Sequence, residues 1–250
     1  MTLLDVQGLR KRFGGVVATG GVDLQVCAGE VHALIGPNGA GKTTLVSQLG
    51  GQLASDAGRI VFDGADITAL VAHQRARRGL VRSFQITRLF HSFDVQDNLA
   101  LALQASSGHG LSPWRAVARD RGLAEQAFEV LREIGLDGRA RARVDALSHG
   151  ERRALEVGLA LASRPRLVLL DEPMAGMGPE ESQRMESLID RLRQRTTVLL
   201  IEHDVDAVFR LADRVSVLVG GLIIASGAPA EVRRDTAVIE AYLGAEGAAA

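Results

Sequence analysis

The residues with the clearest chemical potential form a glycine-rich segment near the start of the chain. Its sequence is Gly36-Pro37-Asn38-Gly39-Ala40-Gly41-Lys42-Thr43, followed by Thr44. Glycines at this spacing let backbone N–H groups turn inward around phosphate oxygens, and a helix that begins near Gly41 directs its positive end at them. Lys42 supplies a charge for the β- and γ-phosphates, and the Thr43 hydroxyl can ligate Mg²⁺. We predict that residues 36–44 bind nucleotide phosphates between a strand and a helix.

The scarcity of lysine supports this prediction. Lys11 and Lys42 are the only lysines among 29 basic residues, and the other 27 are arginines. A lysine ammonium acts on phosphate as a compact point charge, which an arginine does not replace. A chance match to the pattern is the alternative, and a lysine at this position in so arginine-rich a chain argues against it.

Two adjacent carboxylates mark a second chemical site. The apolar run 167–170 ends in Asp171 and Glu172, and α/β sheets bind ligands at the carboxyl ends of such buried strands. Asp171 would hold Mg²⁺ through water, and Glu172 would polarise an attacking water. Because side chains alternate along a strand, the two neighbours point differently and can take different roles. For either carboxylate alone, a solvated strand end is the alternative.

Several strand patterns in the first third of the chain must help to position these residues. Residues 22–26 alternate with period two, 30–35 form an apolar run that stops at the glycine-rich segment, and 58–64 form a short run bounded by glycines. The basic stretch 10–12 is expected to be loop-like. Because no helical pattern separates the early strands, we expect an antiparallel sheet around the first core strand.

The middle of the chain changes to helical spacing over residues 94–135, with a loop expected at 105–112. The apolar face of its second half comprises Leu123, Ala127, Val130, Leu131 and Ile134. Strand–helix alternation then returns, with buried strands at 167–170 and 198–201 and Pro179 in the first turn of a helix. A hairpin over 215–225 turns at Gly220-Gly221. The pattern predicts an α/β fold, with a parallel core, an antiparallel patch and a helical insertion.

Composition and charge exclude several classes of protein. Lys+Arg number 29 and Asp+Glu 30, and aromatic residues make up 4%, so neither a basic field nor stacking rings indicate a nucleic-acid partner. The apolar, charge-free stretch 215–230 contains three glycines and a proline and is too short for a transmembrane helix. The start of the chain lacks a signal-peptide pattern, and the single Cys27 fits a reducing compartment. We expect a cytoplasmic protein.

A third motif identifies a family. Leu147-Ser148-His149-Gly150-Glu151, about twenty residues before Asp171, resembles the signature motif of ATP-binding cassette (ABC) proteins. Other motifs of that family follow its order along essentially the whole chain. These are Phe13, which resembles the aromatic that stacks on adenine, Gln85 of the Q-loop, Ala175-Gly176-Met177 in place of the D-loop, and the switch histidine His203.

Within the family, the chain is most similar to the ATPase subunits of branched-chain (hydrophobic) amino acid importers. Four stretches carry this likeness, at residues 12–15, 171–177, 201–204 and 241–244. Urea importers and a lipopolysaccharide exporter have similar ATPase subunits, and both stay open as alternatives.

The resemblance implies ATP and Mg²⁺ as cofactors and assigns further roles. Phe13 would stack on adenine, Gln85 would contact the metal as a sensor, and His203 would contact the γ-phosphate beside the catalytic Glu172. Ser148 and Gly150 would form an anion site on the ATP of a second chain, in a head-to-tail pair that closes on two ATP. Core packing for Phe13, a polar strand end for Gln85, a capping or packing histidine for His203 and an ordinary N-cap for Ser148 are the alternatives.

The implied fold is a P-loop NTPase core of the ABC ATPase type, with an antiparallel β subdomain and an inserted α-helical subdomain. Residues 1–250 would form one domain, in which 1–85 and 165–250 are the core and 86–164 the helical subdomain. The implied partners are transmembrane permease subunits and a second ATPase subunit, identical or homologous, at the inner face of the membrane. The segment 86–98, with Leu89, Phe90 and Phe93, would dock on the permease.

The chain also departs from the family pattern. His149 and Glu151 stand where the common signature has glycine and glutamine, and Gly176-Met177 replaces the usual Leu-Asp.

A soluble ABC machine, such as a translation factor or a DNA-repair clamp, is the rival class. The single phosphate loop and the roughly one hundred residues between it and the signature disfavour both. A P-loop kinase would leave the signature and His203 unexplained.

Overall fold

The computed structural model describes residues 1–83, 89–106 and 121–247, and its strands form two sheets. The strands are β1 (Thr2–Phe13), β2 (Val16–Cys27), β3 (Val31–Ile35), β4 (Ala57–Phe62), β5 (Ala65–Asp66), β6 (Leu80–Arg82), β7 (Leu167–Asp171), β8 (Thr197–Ile201), β9 (Arg214–Val219) and β10 (Leu222–Gly227). The helices are α1 (Lys42–Leu49), α2 (Ala72–Arg77), α3 (Val95–Ser106), α4 (Arg121–Ile134), α5 (His149–Leu161), α6 (Pro179–Leu192), α7 (Val205–Leu211), α8 (Pro229–Val232) and α9 (Thr236–Gly247).

The larger sheet has six strands in the order β10-β9-β3-β8-β7-β6, and all its pairs are parallel except β10 with β9. Every residue of β3 and β8 is buried, which is typical of strands covered on both faces. In the register, Leu34 of β3 pairs with Ile201 of β8, and Ile201 also pairs with Asp171 of β7. The carboxyl ends of three adjacent strands therefore meet at one edge, where Gly36, Glu172 and His203 follow.

The smaller sheet is antiparallel, in the order β2-β1-β4-β5. The predicted antiparallel patch is thus confirmed, but the expectation that it surrounds the first core strand is wrong. That strand, β3, lies in the parallel sheet because both of its faces are covered, and α1 separates it from β4. The loop-like expectation for residues 10–12 is also wrong, because these residues continue β1 and pair with β2 up to Phe13–Val16.

The helical middle of the chain is confirmed as α3 and α4, which pack together with α5 in the largest apolar cluster. On the predicted face of α4, Ala127, Leu131 and Ile134 are buried, and Leu123 and Val130 are half-buried against the same cluster. The expectation of a loop at 105–112 is wrong for residues 105 and 106, because α3 continues through Ser106, and residues 107–112 lie outside the described ranges.

The second half of the chain follows its sequence patterns closely. Pro179 occupies the first turn of α6, whose buried stripe comprises Met185, Leu188, Ile189 and Leu192. The hairpin β9–β10 turns at Gly220 and Gly221, both with positive φ. Within the described residues, no helix is both long and apolar enough to cross a membrane.

Candidate active site

The glycine-rich segment leaves the carboxyl end of β3 and enters α1 at Lys42, the context that a phosphate loop requires. We call residues 36–44 the cradle. A Cβ at Gly36 would lie 2.0 Å from the carbonyl oxygen of Leu218, and one at Gly41 would lie 2.1 Å from that of Ala18. Gly41 also has a φ of 105°, which side chains rarely permit. Glycine is therefore required at positions 36 and 41 of the cradle, and the positive end of α1 begins beside Gly41.

Lys42 is buried inside the cradle. Its Nζ donates hydrogen bonds to the carbonyl oxygens of Gly36, at 2.6 Å, and Pro37, at 3.1 Å. Burial lowers the pKa of the ammonium, while the charges of Glu172 and Asp171 act in the opposite direction. The cradle is thus held in shape by the same ammonium that is predicted to contact phosphate.

Two further backbone segments support the cradle. The Gly221 N–H donates to the Ala40 carbonyl at 2.9 Å, and the Gly20 N–H donates to the Gly221 carbonyl at 2.8 Å. The β9–β10 turn therefore joins the cradle to β2. Sequence reasoning missed this contact, because a glycine pair predicts a turn but not what the turn packs against.

Asp171 ends β7 and is paired with an arginine that sequence reasoning missed. Arg82 of β6, 2% exposed in its side chain, contacts Asp171 Oδ2 through Nη2 at 2.5 Å and donates from Nη1 to the Ser47 hydroxyl at 3.1 Å. The arginine therefore connects α1, β6 and β7 beneath the cradle. Its only sequence signal is a charge in the short run Leu80–Arg82.

Glu172 and His203 lie side by side at the same sheet edge. His203 Nε2 is 2.5 Å from Glu172 Oε1, and both side chains are partly exposed. Glu172 adopts the left-handed region, with a φ of 51°, and its N–H donates to the Ile201 carbonyl at 2.8 Å. A non-glycine residue in this region is uncommon and needs support from its surroundings. The structure thus brings together two predicted catalytic residues that are distant in the sequence.

The donor atoms near the cradle fit a magnesium ion. Mg²⁺ takes oxygen ligands and is commonly held by one or two carboxylates together with phosphates and water. The Thr43 hydroxyl and the Asp171 carboxylate supply such oxygens, and among the described residues Asp171 Oδ1 has no hydrogen-bond partner. No group of three His, Cys, Asp or Glu residues in the described ranges could hold a metal unaided. Bound phosphate would have to complete the coordination.

The signature turn, residues 148–151, opens α5 as predicted. Ser148 Oγ accepts from the Glu151 N–H at 3.2 Å, and Glu151 Oε2 accepts from the Ser148 N–H at 2.8 Å. These two bonds form a complete capping box. Glu151, which stands where the common signature has glutamine, therefore caps the start of α5. In the described part of the chain, no hydrogen bond or ion pair joins this turn to the cradle.

A carboxylate occupies the open side of the signature turn. Glu181 Oε1, from the first turn of α6, accepts from Ser148 Oγ at 2.9 Å and from the Gly150 N–H at 3.1 Å. The hydrogen bonds from Ser148 and Gly150 hold the pKa of Glu181 below its ordinary value. The turn therefore binds an anionic oxygen in this structure. Sequence reasoning missed Glu181, because nothing in the spacing indicates that α6 meets α5 here.

Three further residues from the family motifs are His149, Phe13 and Gln85, and the structure describes the first two. His149 Nε2 lies 3.1 Å from the Ala175 carbonyl, so the residue that departs from the family pattern connects the signature turn to the segment after Glu172. Phe13 is 52% exposed at the β1–β2 turn, with Lys11 Nζ 5.8 Å from its ring centroid, which excludes the core alternative. Gln85 lies outside the described residues.

The described part of the predicted docking segment, residues 89–98, exposes two stacked rings. Phe90 and Phe93 are 55% and 43% exposed, with centroids 5.5 Å apart. The buried Asn98 holds this loop, because its Oδ1 accepts from the Phe90 N–H at 2.9 Å and its Nδ2 donates to the Phe90 carbonyl at 3.2 Å. An apolar pair presented on a fixed loop is typical of an interface.

Two protein-family models match this chain. Residues 19–175 match the model described as ABC transporter, and residues 223–248 match the model described as branched-chain amino acid ATP-binding cassette transporter. The first match spans the cradle, the signature turn and the acidic pair. The second covers β10 and the helices at the end of the chain.

Individual relatives are similar over nearly their whole length. The high-affinity branched-chain amino acid transport ATP-binding protein BraF of Pseudomonas aeruginosa is 40% identical over 249 residues, covering 97% of this chain and 98% of BraF. The lipopolysaccharide export system ATP-binding protein LptB of Haemophilus influenzae is 35% identical, covering 98% of each. The structure of MJ1267 in its ADP conformation, an ATP-binding cassette of an ABC transporter, matches with a TM-score of 0.86 and 30% identity over 98% of this chain and 99% of its own. This chain therefore belongs to the ATP-binding cassette family, among the ATPase subunits of ABC transporters.

Proposed function

We propose that this ATPase powers the import of branched-chain amino acids by pairing head to tail with a second ATPase subunit around two ATP molecules. The contact of Glu181 with Ser148 and Gly150 carries the head-to-tail pairing in this proposal. It indicates an anion site on the signature turn that is separate from the cradle. One chain thus has two half-sites for phosphate, and two-fold pairing lets each chain complete the site of the other.

In the cradle half, backbone N–H groups of residues 36–41, the Lys42 ammonium and the hydroxyls of Thr43 and Thr44 would bind the phosphates. Phe13 would stack on the adenine. Ala18, in the strand that begins three residues after Phe13, lies against Gly41, which supports a position of this ring at the edge of the cradle. Thr43, Asp171 and Gln85 would hold Mg²⁺, which neutralises charge that develops on the phosphates.

Hydrolysis would use the pair at the sheet edge. A Glu172 oxygen accepts a proton from water as the water oxygen bonds to the γ-phosphorus, and the bond from phosphorus to the bridging oxygen breaks to release ADP. His203 shares a short contact with Glu172, which supports its role in orienting the carboxylate and contacting the γ-phosphate. General-base assistance of this kind is typically worth about 10²–10⁴-fold in rate.

The exposed rings of the predicted docking segment support a membrane partner. Phe90 and Phe93 would contact permease subunits, which would place this chain on the inner face of the cell membrane. We assign residues 86–164 to a helical subdomain that carries both this loop and the signature turn. Residues 1–85 and 165–250 form the nucleotide-binding core. Closure of the pair around ATP would then move the helical subdomains and the permease together.

The transported solute is the finer part of the proposal. Branched-chain amino acids are favoured by the similarity to BraF and by the second family match over residues 223–248. Lipopolysaccharide export is the second candidate, because LptB is 35% identical over nearly the same length. Uptake of labelled leucine by vesicles that hold the chain with its permease should require ATP and should fall when Phe90 is changed to Ser. Vesicles that move lipopolysaccharide and not leucine would favour the second candidate.

The dimer is tested with Glu172→Gln, which keeps ATP bound by blocking its hydrolysis. We expect ATP to convert this variant into a dimer on gel filtration, with turnover lowered about 10²–10⁴-fold. Glu180→Gln is the matched control, because this glutamate is 90% exposed on α6 and should leave turnover unchanged. A Glu172→Gln protein that stays monomeric with ATP and hydrolyses it at the ordinary rate would refute the proposal.

A further inference from the structure

Glu202 is a buried carboxylate to which neither the motifs nor the proposed mechanism assigns a role. It lies between the end of β8 and His203 and is only 4% exposed. Burial raises the pKa of its carboxyl, although two backbone hydrogen bonds act in the opposite direction. A buried carboxylate is costly, so its contacts should explain its presence.

Both oxygens of Glu202 contact main chain beside the hydrolytic pair. Oε1 accepts from the Met174 N–H at 2.8 Å, in the segment that follows Glu172, and Oε2 accepts from the His203 N–H at 3.2 Å. One carboxylate therefore bridges the two segments that carry Glu172 and His203. This carboxylate is shielded from solvent, whereas the Glu172 and His203 side chains are partly exposed.

We infer that Glu202 is a positioning residue for hydrolysis, which sets the distance between the Glu172 and His203 side chains by fixing the backbone of each. The inference rests on the proposed roles of those two residues. Glu172 needs such support, because its φ of 51° is in a sparsely populated region. The Glu172 N–H bond to Ile201 supplies one restraint, and the Glu202 bridge supplies the other.

The bridge depends on two acceptor atoms. A glutamine at position 202 has nearly the same volume but only one acceptor oxygen, and its NH₂ group would face the second N–H donor. Glu202→Gln therefore breaks one half of the bridge without opening a cavity. A misplacement of reacting groups by about 1 Å can cost about 10²-fold in rate.

A matched control is found at the opposite end of the core. Glu30, just before β3, also accepts from a backbone N–H, that of Cys27 at 2.7 Å, and contacts His32 at 3.0 Å. The active site follows the other end of β3. Glu30→Gln therefore removes the same kind of charge and contact without touching the hydrolytic pair.

The experiment measures kcat, KM, ATP affinity and melting temperature for both variants. We expect Glu202→Gln to lower kcat by about 10- to 100-fold with ATP affinity changed less than about 2-fold, whereas Glu30→Gln keeps kcat within about 2-fold. In a double-mutant cycle with single-turnover rates, Glu202→Gln should have a smaller effect on the His203→Ala background than on the wild type. An effect that multiplies with that of His203→Ala, or a kcat close to wild type, would overturn the inference.

Glu202→Asp serves if the glutamine variant does not fold, because it keeps the charge and is too short to reach both donors. It should lower kcat with unchanged ATP affinity, and an unchanged kcat would overturn the inference. The single variants Glu172→Gln and His203→Ala distinguish failure of the proposed hydrolytic roles from failure of the positioning role of Glu202. If they retain turnover, the proposed hydrolytic roles fail; if they lose it and Glu202→Gln does not, only the positioning role fails.

Discussion

The cradle and the signature turn both lie at the start of a helix, yet the side chains that contact them carry opposite charges. The cradle contains a cation of its own, since Lys42 donates to the Gly36 and Pro37 carbonyls. The signature turn holds an anion of its own, since the Glu181 carboxylate bonds to Ser148 and Gly150. The first region is prepared for phosphate, and the second is already satisfied.

This difference predicts an order of events. ATP can bind the cradle of a single chain, because the ammonium is in place and its carbonyl contacts need only be exchanged for phosphate oxygens. The signature turn must release Glu181 before it accepts a phosphate oxygen from the neighbouring chain. Assembly of the pair should therefore be weaker than ATP binding and more sensitive to changes at the turn.

The largest effect is expected from Lys42→Ala, which removes the cation of the cradle. ATP affinity of the single chain should fall by about 100-fold or more, because a buried charge-assisted contact is lost. Isothermal titration calorimetry measures the change. Lys11→Ala, at the only other lysine, is the control and should change affinity by less than about 3-fold. Equal losses in the two variants would contradict the assignment of the cradle.

An intermediate effect is expected from Ser148→Ala, which removes one donor from the signature turn. On the Glu172→Gln background, the ATP-dependent dimer should weaken by about 10-fold, while ATP affinity of the single chain stays the same. Analytical ultracentrifugation and calorimetry report the two quantities separately. Ser187→Ala, on the exposed face of α6, is a matched control. Loss of single-chain ATP affinity in Ser148→Ala would show that the two regions are not independent.

The smallest effect, of opposite sign, is expected from Glu181→Ala. Emptying the signature turn should strengthen the ATP-dependent dimer, on the order of 3- to 10-fold, because the competing carboxylate is gone. The control is Glu180→Ala, which removes an equal charge from the same helix turn and should leave the dimer unchanged. A weaker dimer in Glu181→Ala would mean that the carboxylate supports the turn instead of competing for it.

The pH dependence sharpens this last test. The pKa of Glu181 lies below its ordinary value of 4.5, because Ser148 and Gly150 donate to the charged form. A lowered carboxyl pKa means that the contact is fully formed above the ordinary value and is lost as the pH falls through the lowered one. The gain from Glu181→Ala should therefore be equal at about pH 6 and about pH 8.

The sequence predicted features that depend on local pattern. The cradle, the acidic pair and the cap of α5 each follow from residue types within a few positions, and the structure has them where expected. Sheet membership of β3 was not predictable in this way, because a buried run does not say which strands pair with it. Arg82, Glu181 and Glu202 were missed for the same reason. Each acts through a partner on another element, and the pairing of elements is decided by packing of the whole chain.

Arg82 couples the position of strand β6 to the candidate active site. Among the strands that the structure describes, β6 lies at the edge of its sheet, pairs with β7 alone and is the shortest of the six. It ends three residues before Gln85, and its arginine contacts both Asp171 and Ser47. An edge strand is hydrogen-bonded to its sheet on one side only, and Arg82 adds a side-chain link from β6 to β7 and α1. Because Arg82 contacts Asp171 directly, any displacement of β6 would act on the carboxylate that we assign to magnesium.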